Sequence, residues 1–324
     1  MSVRAIVRNV VLSIALIVMA AHAQQGARVA RIGYLTPAAH AGRDQAFRDE
    51  LASLGWVEGR NLVIERRSAE GELTRLPALA AELVRLNVDV IVAVVTQASV
   101  AAKAATPTIP IVIVGVGDPV GAGLVRSLAR PDGNITGTSG AAVDVIGKQL
   151  EYLRNVRPGI KRVAALRNPA NPVFQRQLAD EARAAASKLG IELVFVDAKF
   201  PDLDDAFRRI AAVRPHGLIV LADPVLARHA DRIGSFALEH KLPAVTSFET
   251  YTDAGLLLAY GANLEQFHRR SAVYVDRILR GAQPSSLPIE RPTRFELIVN
   301  LRTARAIGVD VPKSVADRAD RTIE

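Results

Sequence analysis

The sequence predicts an α/β protein of two similar lobes, each a doubly wound parallel sheet, and three observations lead to this fold class. Short apolar runs alternate with stretches of helical periodicity from residue 29 onward. The same order of runs and turns occurs again in the C-terminal half. A Gly-, Thr- and Ser-rich segment at 132–140 joins the halves, and its composition predicts a crossover that acts as a hinge. The length of 324 residues suits two lobes of about 100–150 residues each.

The first half predicts a parallel sheet with helices on both faces. Apolar, β-branched runs predict strands at 29–35, 62–66, 90–95 and 111–114. Between them, apolar residues at helical spacing predict helices at 43–54, 76–86 and 98–105. Alternation of strand and helix implies parallel strands joined by crossovers. The runs are continuously apolar, which is expected where both faces of a sheet are buried.

The second half repeats this plan in four places that occur in the same order. The matched segments are 28–38 with 162–170, Leu54-Gly55 with Leu189-Gly190, 88–95 with 215–221, and 109–112 with 242–245. Each pair occupies the same position relative to a predicted strand. Four pairings in one order indicate two lobes of common architecture.

The C-terminal region predicts that the chain passes between the lobes three times. It contains a strand-like run at 256–260, a helix at Leu264–Leu279, a Pro-rich segment at 283–292 and a strand at 295–300. The economical arrangement assigns 27–137 plus about 261–290 to lobe 1, and 138–260 plus about 291–324 to lobe 2. Three crossovers form a multi-crossover hinge, with a cleft between the lobes.

The N-terminal segment 1–23 has the pattern of a cleaved signal peptide. Arg4 and Arg8 precede an apolar stretch at 10–21, and Ala21-His22-Ala23 is a small-x-small cleavage site. The apolar stretch is shorter than the roughly 20 residues that span a bilayer. The sequence contains no Cys that could carry a lipid. We therefore expect an exported protein that is free in the periplasm.

Charge and motif content exclude several function classes. The formal charge is +8, but 41 Lys and Arg are interleaved with 33 Asp and Glu, without a basic tail. This distribution does not predict nucleic-acid binding. Phosphate-loop, dinucleotide and nucleophile-elbow motifs each lack a required residue. We expect no enzymatic activity, no cofactor, no metal ion and a monomeric state.

Candidate ligand-binding residues lie where predicted strands end, because ligands of open parallel sheets bind beyond the carboxyl ends of the strands. These residues are Thr36, Thr96, Gln97, Asp118, Asn168, Asn171, Asp223 and Phe248. The N–H groups at Thr96-Gln97 precede a helix and suit a carboxylate. Asp118 or Asp223 would then pair with an ammonium group of the same ligand. The alternative is that these polar residues only form helix caps and turns.

Several long stretches resemble a known family. Residues 114–125 (VGVGDPVGAGLV) and 127–137 (SLARPDGNITG) are the most specific, and 168–172, 274–281 and 292–300 also match. They are similar to the solute-binding proteins of a tryptophan/tyrosine-type ABC transporter family, which has the type I periplasmic-binding fold. The resemblance extends from Arg31 to about Pro312. Asp132 stands where the family commonly has Gly.

The resemblance implies capture of a small solute, an amino acid or related compound, and delivery to an ABC permease and its ATPase. Tyr34, Phe248 and Tyr260 are then candidates to sandwich an aromatic or branched side chain, and the alternative is that they belong to the core. Two alternatives use the same fold: a ligand-sensing subunit that contacts a membrane receptor, and an exported two-lobed enzyme. The residues do not identify the solute.

Overall fold

The computed structural model describes residues 29–324 and contains two β-sheets. The predicted signal segment lies outside the described residues. The first sheet has the strand order β2-β1-β3-β4-β5, and all its pairings are parallel. Its strands are β1 (Ala30–Thr36), β2 (Leu62–Ser68), β3 (Val90–Val94), β4 (Ile111–Val116) and β5 (Ile135–Ser139). Helices α1 (Ala41–Ser53), α2 (Leu76–Arg85) and α3 (Val95–Ala105) connect the first four strands.

The second sheet has seven strands in the order β12-β11-β10-β9-β8-β6-β7. These are β6 (Arg162–Arg167), β7 (Glu192–Asp197), β8 (Gly217–Val220), β9 (Ala244–Thr246), β10 (Leu258–Gly261), β11 (Glu296–Asn300) and β12 (Arg321–Ile323). The helices that follow along the chain are α4 (Ile146–Val156), α5 (Pro172–Leu189), α6 (Asp204–Ala212), α7 (Pro224–Ala227), α8 (Ala230–Glu239), α9 (Thr250–Asp253), α10 (Leu264–Leu279), α11 (Leu301–Ile307) and α12 (Lys313–Ala316).

Each sheet has an apolar core on both of its faces, and this confirms the predicted fold class. In β3, Ile91 and Ala93 join the core beneath α2 and α3. The alternate residues Val90, Val92 and Val94 join the core beneath α1 and α10. Successive side chains of a strand point to opposite faces, so a strand covered on both sides needs apolar residues at every position. The second sheet likewise lies between two cores.

The chain passes between the two sheets three times. It leaves β5 for α4 through residues 140–145, and it returns from β10 to α10 through residues 262–263. Helix α10 packs on the first sheet although it follows a strand of the second. Asn263 caps this helix by accepting hydrogen bonds from the N–H groups of Glu265 and Gln266. After a parallel bridge between Thr138 and Glu290, residues 291–295 lead to β11.

Two local interpretations of the sequence were wrong. The sequence predicts a crossover and hinge at 132–140, but Ile135–Ser139 is the edge strand of the first sheet. Gly137 has a φ of 131°, and an added Cβ there would overlap the Ile113 backbone. Its glycine is therefore needed for close strand packing rather than for a hinge. The second sheet is also not entirely parallel, because β11 runs antiparallel to β10.

Candidate functional site

A narrow cavity lies between the two lobes, where strands of both sheets end. Lobe 1 here denotes the first sheet with α1, α2, α3, α10 and the loops that connect them, and lobe 2 denotes the second sheet with the other helices and their loops. The lining is mostly apolar, with four glycines and three polar residues, and carries no charged side chain among the described residues. It comprises Val95, Thr96, Gln97, Gly115, Gly117, Gly140, Ala142, Val145, Phe174, Ala222, Pro224, Ser247, Phe248, Gly261, Ala262 and Leu264.

Two phenylalanines of lobe 2 line this main cavity. Phe174 lies in the first turn of α5, and Phe248 follows β9. The Phe174 ring reaches across to lobe 1 and lies against Gly117, so closely that an added Cβ at Gly117 would overlap the ring. Aromatic walls of this kind suit a flat apolar group, since ring pairs favour offset or edge-to-face packing.

The start of α3 supplies polar groups that have no partner among the described residues. Thr96 Oγ1 and both amide atoms of Gln97 are buried without a hydrogen bond. Buried polar groups are usually paired, and an unpaired one costs about 1–3 kcal/mol. The preceding Val95 has a φ of 58°, which is unfavourable for a β-branched residue. Unpaired polar atoms beside a strained backbone are typical of a binding site.

The structure brings Thr96, Gln97 and Phe248 of the predicted site residues together in the main cavity. Thr36 lies at the end of β1, where its hydroxyl donates a hydrogen bond to the Ala38 carbonyl at 2.8 Å. The Tyr260 ring packs in lobe 2 against the rings of Tyr152 and Phe295, with centroids 5.2 and 5.9 Å away. Neither Thr36 nor Tyr260 lines the main cavity.

Asp223, Asn168 and Asn171 form a buried hydrogen-bond network beside the main cavity. Asp223 Oδ1 accepts from the N–H groups of Val225 and Leu226 at 2.9 and 3.0 Å, and so caps α7. It also accepts from Asn168 Nδ2 at 3.1 Å, while Asn171 Nδ2 lies 3.5 Å from Oδ2. Burial raises the pKa of Asp223, and these hydrogen bonds oppose that shift. The carboxylate is therefore occupied by groups of lobe 2 itself.

Asp118 connects the two lobes. Its Oδ1 accepts from the N–H groups of Val120 and Gly121 at 3.1 and 2.9 Å, which fixes the turn after β4. Its Oδ2 accepts from Gln177 Nε2 of α5 at 3.1 Å. Arg228 and Glu70 form a second contact between the lobes, 3.8 Å apart. With the packing of Phe174 on Gly117, these contacts hold the lobes together around the main cavity.

A smaller side cavity adjoins the main cavity and contains charged residues. The two share Ser247, Phe248, Gly261, Ala262 and Leu264. Arg43 of lobe 1 lines the side cavity, as do Glu249 and Glu296 of lobe 2. Glu296 accepts hydrogen bonds from Asn263 Nδ2 at 3.3 Å.

The site residues that sequence reasoning missed lie in first turns of helices or in loops. Phe174 and Arg43 occupy the first turns of α5 and α1, and Glu249 precedes α9. A first turn that follows a parallel strand points its residues toward the cleft. Applied to first turns as well as to strand ends, this rule selects Phe174 and Arg43, whereas Glu249 lies in the loop between β9 and α9.

The arrangement defines a class of protein: two α/β lobes, joined by three crossing segments, enclose a cavity at the ends of their sheets, as in two-lobed solute receptors. The chain belongs to the ABC transporter substrate binding protein family, whose model matches residues 32–323. No helix in residues 29–324 combines the length and the apolar character that a membrane crossing requires.

Individual relatives cover most of the chain. A tyrosine-binding protein of Clostridioides difficile (strain R20291) is 28% identical over 274 residues, which is 84% of this chain and 78% of that protein. A conserved domain protein from Vibrio cholerae is 29% identical with a TM-score of 0.85, over 91% of this chain and 100% of that one. A Streptococcus pneumonia ABC domain in complex with L-Trp is 23% identical with a TM-score of 0.83, over 91% and 99% of the two chains.

Proposed function

We propose that this protein is a periplasmic receptor that binds an amino acid with an aromatic side chain and delivers it to the permease and ATPase of an ABC importer. The family membership supports the receptor role, and the tyrosine-binding relative supports the ligand class. The main cavity carries the proposal most directly. It offers aromatic walls, and at one end it offers the unpaired atoms of Thr96 and Gln97.

These features match an aromatic side chain that has a polar tip. A phenol both donates and accepts a hydrogen bond, and an indole donates one. The Gln97 amide has both a free donor and a free acceptor, and the Thr96 hydroxyl can act as either. A ring held between Phe174 and Phe248 would therefore bring its polar atom to groups that otherwise remain unsatisfied.

In this mechanism, ligand binding is coupled to closure of the two lobes. Thr96 and Gln97 belong to lobe 1, whereas Phe174 and Phe248 belong to lobe 2. A ligand touches all four only when the lobes are together, so its differential affinity shifts the hinge toward the closed state. We propose that the protein acts as a monomer in the periplasm, exported by its N-terminal segment, without catalysis, cofactor, metal or nucleic-acid binding.

Asp118→Ala tests the closure mechanism. The substitution removes the hydrogen bond from Gln177 across the lobes, together with two bonds in the turn after β4. We expect ligand affinity to fall about 3- to 10-fold, because one hydrogen bond contributes roughly 1 kcal/mol. Gln177→Ala breaks the same interlobe bond and should cause a similar loss in isothermal titration calorimetry. A loss above about 100-fold in Asp118→Ala alone would instead indicate direct contact with the ligand.

A thermal-shift panel tests the proposed ligand class. The chain from residue 24 onward is unfolded and refolded to remove any bound solute, and then mixed with amino acids, peptides, sugars, carboxylates and nucleosides. A ligand at 1,000 times its Kd adds about 4 kcal/mol to the free energy of unfolding, which raises the midpoint by roughly 5–10 °C. We expect the largest shifts with L-tyrosine and L-tryptophan. A larger shift with another chemical class would contradict the proposal.

A further inference from the structure

Arg43 and Glu249 bring opposite charges to the side cavity, one from each lobe. The charge of Glu249 raises the pKa of Arg43, but no ion pair joins the two side chains. Glu249 also has no side-chain hydrogen bond among the described residues, and both residues are only half-buried. The side cavity therefore holds an unmatched cation and an unmatched anion at the edge of the main cavity.

The position of Arg43 is unfavourable for fold stability. It lies in the first turn of α1, where the positive end of the helix dipole disfavours a cation. Burial lowers the pKa of Arg43, and the charge of Glu249 raises it. Burial also lowers the pKa of His268 to about 4, so this neighbouring histidine stays neutral near pH 7. Arg43 is thus a guanidinium that the fold itself does not pair.

The head group of an amino acid needs two opposite charges close together, because its carboxylate and ammonium are attached to one carbon. The main cavity offers only neutral polar groups. Asp223 is occupied by its network in lobe 2, and Asp118 by its turn and Gln177. Glu296 is held by Asn263. Among the described residues that line the two cavities, Arg43 is the only cation, and Glu249 is the only carboxylate whose side chain makes no hydrogen bond to the fold.

We propose that Arg43 binds the α-carboxylate and Glu249 binds the α-ammonium of the ligand, while its side chain occupies the main cavity. This inference rests on the proposed function and assigns the orientation of the ligand within the site. The polar tip of the side chain then lies at Thr96 and Gln97. This orientation is opposite to the one expected from the sequence, in which the N–H groups at Thr96-Gln97 hold the carboxylate.

The positions of Arg43 and Glu249 couple the carboxylate and the ammonium of the ligand to closure of the two lobes. Arg43 is supplied by lobe 1 and Glu249 by lobe 2, so a zwitterion connects both lobes through its two ends. A ligand without its carboxylate loses the contact to lobe 1, and a ligand without its amine loses the contact to lobe 2. Free amino acids are thereby selected over their amides and over deaminated acids.

The roles of Arg43 and Glu249 are tested with ligands that lack either the carboxylate or the amine, and with variants that lack either charged side chain. The ligands are L-tyrosine, L-tyrosinamide and 3-(4-hydroxyphenyl)propanoate, with the corresponding L-tryptophan series. Affinities are measured by isothermal titration calorimetry on the wild type, Arg43→Gln and Glu249→Gln. We expect the wild type to prefer the free amino acid by about 30-fold or more over both analogues, as for truncation of a buried charge pair.

Each variant should abolish one preference only. In Arg43→Gln, the amino acid and its amide should bind within about 3-fold of each other, while the preference over the deaminated acid remains. In Glu249→Gln, the amino acid and the deaminated acid should bind within about 3-fold of each other, while the preference over the amide remains. Arg48→Gln, one turn further along α1, and Glu239→Gln, at the end of α8, are controls that should keep both preferences. The midpoint of thermal unfolding verifies that each variant is folded.

Two results would overturn the assignment in different ways. If Arg43→Gln keeps the preference for the free carboxylate and Thr96→Ala loses it, the head group lies at the start of α3 and only the orientation is wrong. If the wild type binds no amino acid of either series, the proposed function itself is contradicted, and the assignment with it.

Discussion

Gly117→Ala is expected to weaken ligand binding by about 5- to 150-fold while leaving the fold almost as stable as the wild type. The added Cβ would overlap the Phe174 ring, which reaches Gly117 from the opposite lobe. Overpacking of this kind costs about 1–3 kcal/mol. When the lobes separate, the ring and the new methyl group separate too. The substitution therefore destabilises the closed state of the protein and leaves the fold of each lobe almost unaffected.

A double-mutant cycle measures this contact. Phe174→Ala removes the ring, so adding Gly117→Ala in that background should cost much less than it does in the wild type. Gly147→Ala is the matched control, because its added Cβ meets only ordinary contact with Ala185 at 3.8 Å. Affinity by calorimetry and the unfolding midpoint are recorded for all variants. Equal affinity losses for Gly117→Ala in both backgrounds would show that the two residues do not meet in the closed state.

Asp223→Ala is expected to destabilise the protein by about 3–5 kcal/mol. Asp223 is completely buried and accepts from two backbone N–H groups and from the side chains of Asn168 and Asn171. Removing the carboxylate leaves these donors buried without an acceptor, and each unsatisfied group is costly. Urea denaturation followed by circular dichroism gives the free energy of unfolding.

Asp231→Ala provides the control for this prediction, because Asp231 is an exposed carboxylate in the first turn of α8. Its removal should change the free energy of unfolding by no more than about 0.5 kcal/mol. Asp223→Asn separates a structural role from a ligand contact. If Asp223→Asn kept wild-type stability but lost nearly all affinity, Asp223 would contact the ligand, as the strand-end argument from the sequence proposes.

The sheet architecture was predictable because each strand and helix is indicated by the pattern of apolar residues within its own segment. Most inner strands are largely apolar runs, and most of these runs are followed by a helix, so their composition indicates burial on both faces of the sheet. Strand β5 was missed because the Gly and Thr residues of 135–139 are typical of turns as well as of edge strands. The antiparallel direction of β11 depends on where the chain re-enters lobe 2. The residues of a short segment do not indicate from which side the chain enters the sheet.

The candidate site was predictable only in part. The strand-end rule located Thr96, Gln97 and Phe248, which line the main cavity. The same rule selected Asn168 and Asp223, but a sequence does not show that these polar groups satisfy one another. Whether a side chain at a strand end faces the ligand or a neighbouring loop depends on tertiary packing, which is specified by residues far along the chain.

A crystal structure of the refolded protein with L-tyrosine would show the position of the ligand between the lobes. We expect the ring between Phe174 and Phe248, its hydroxyl at Thr96 and Gln97, and its head group between Arg43 and Glu249. A head group at the start of α3 would contradict the proposed orientation. An empty main cavity at saturating L-tyrosine and L-tryptophan would contradict the proposal that this receptor binds an aromatic amino acid between its lobes.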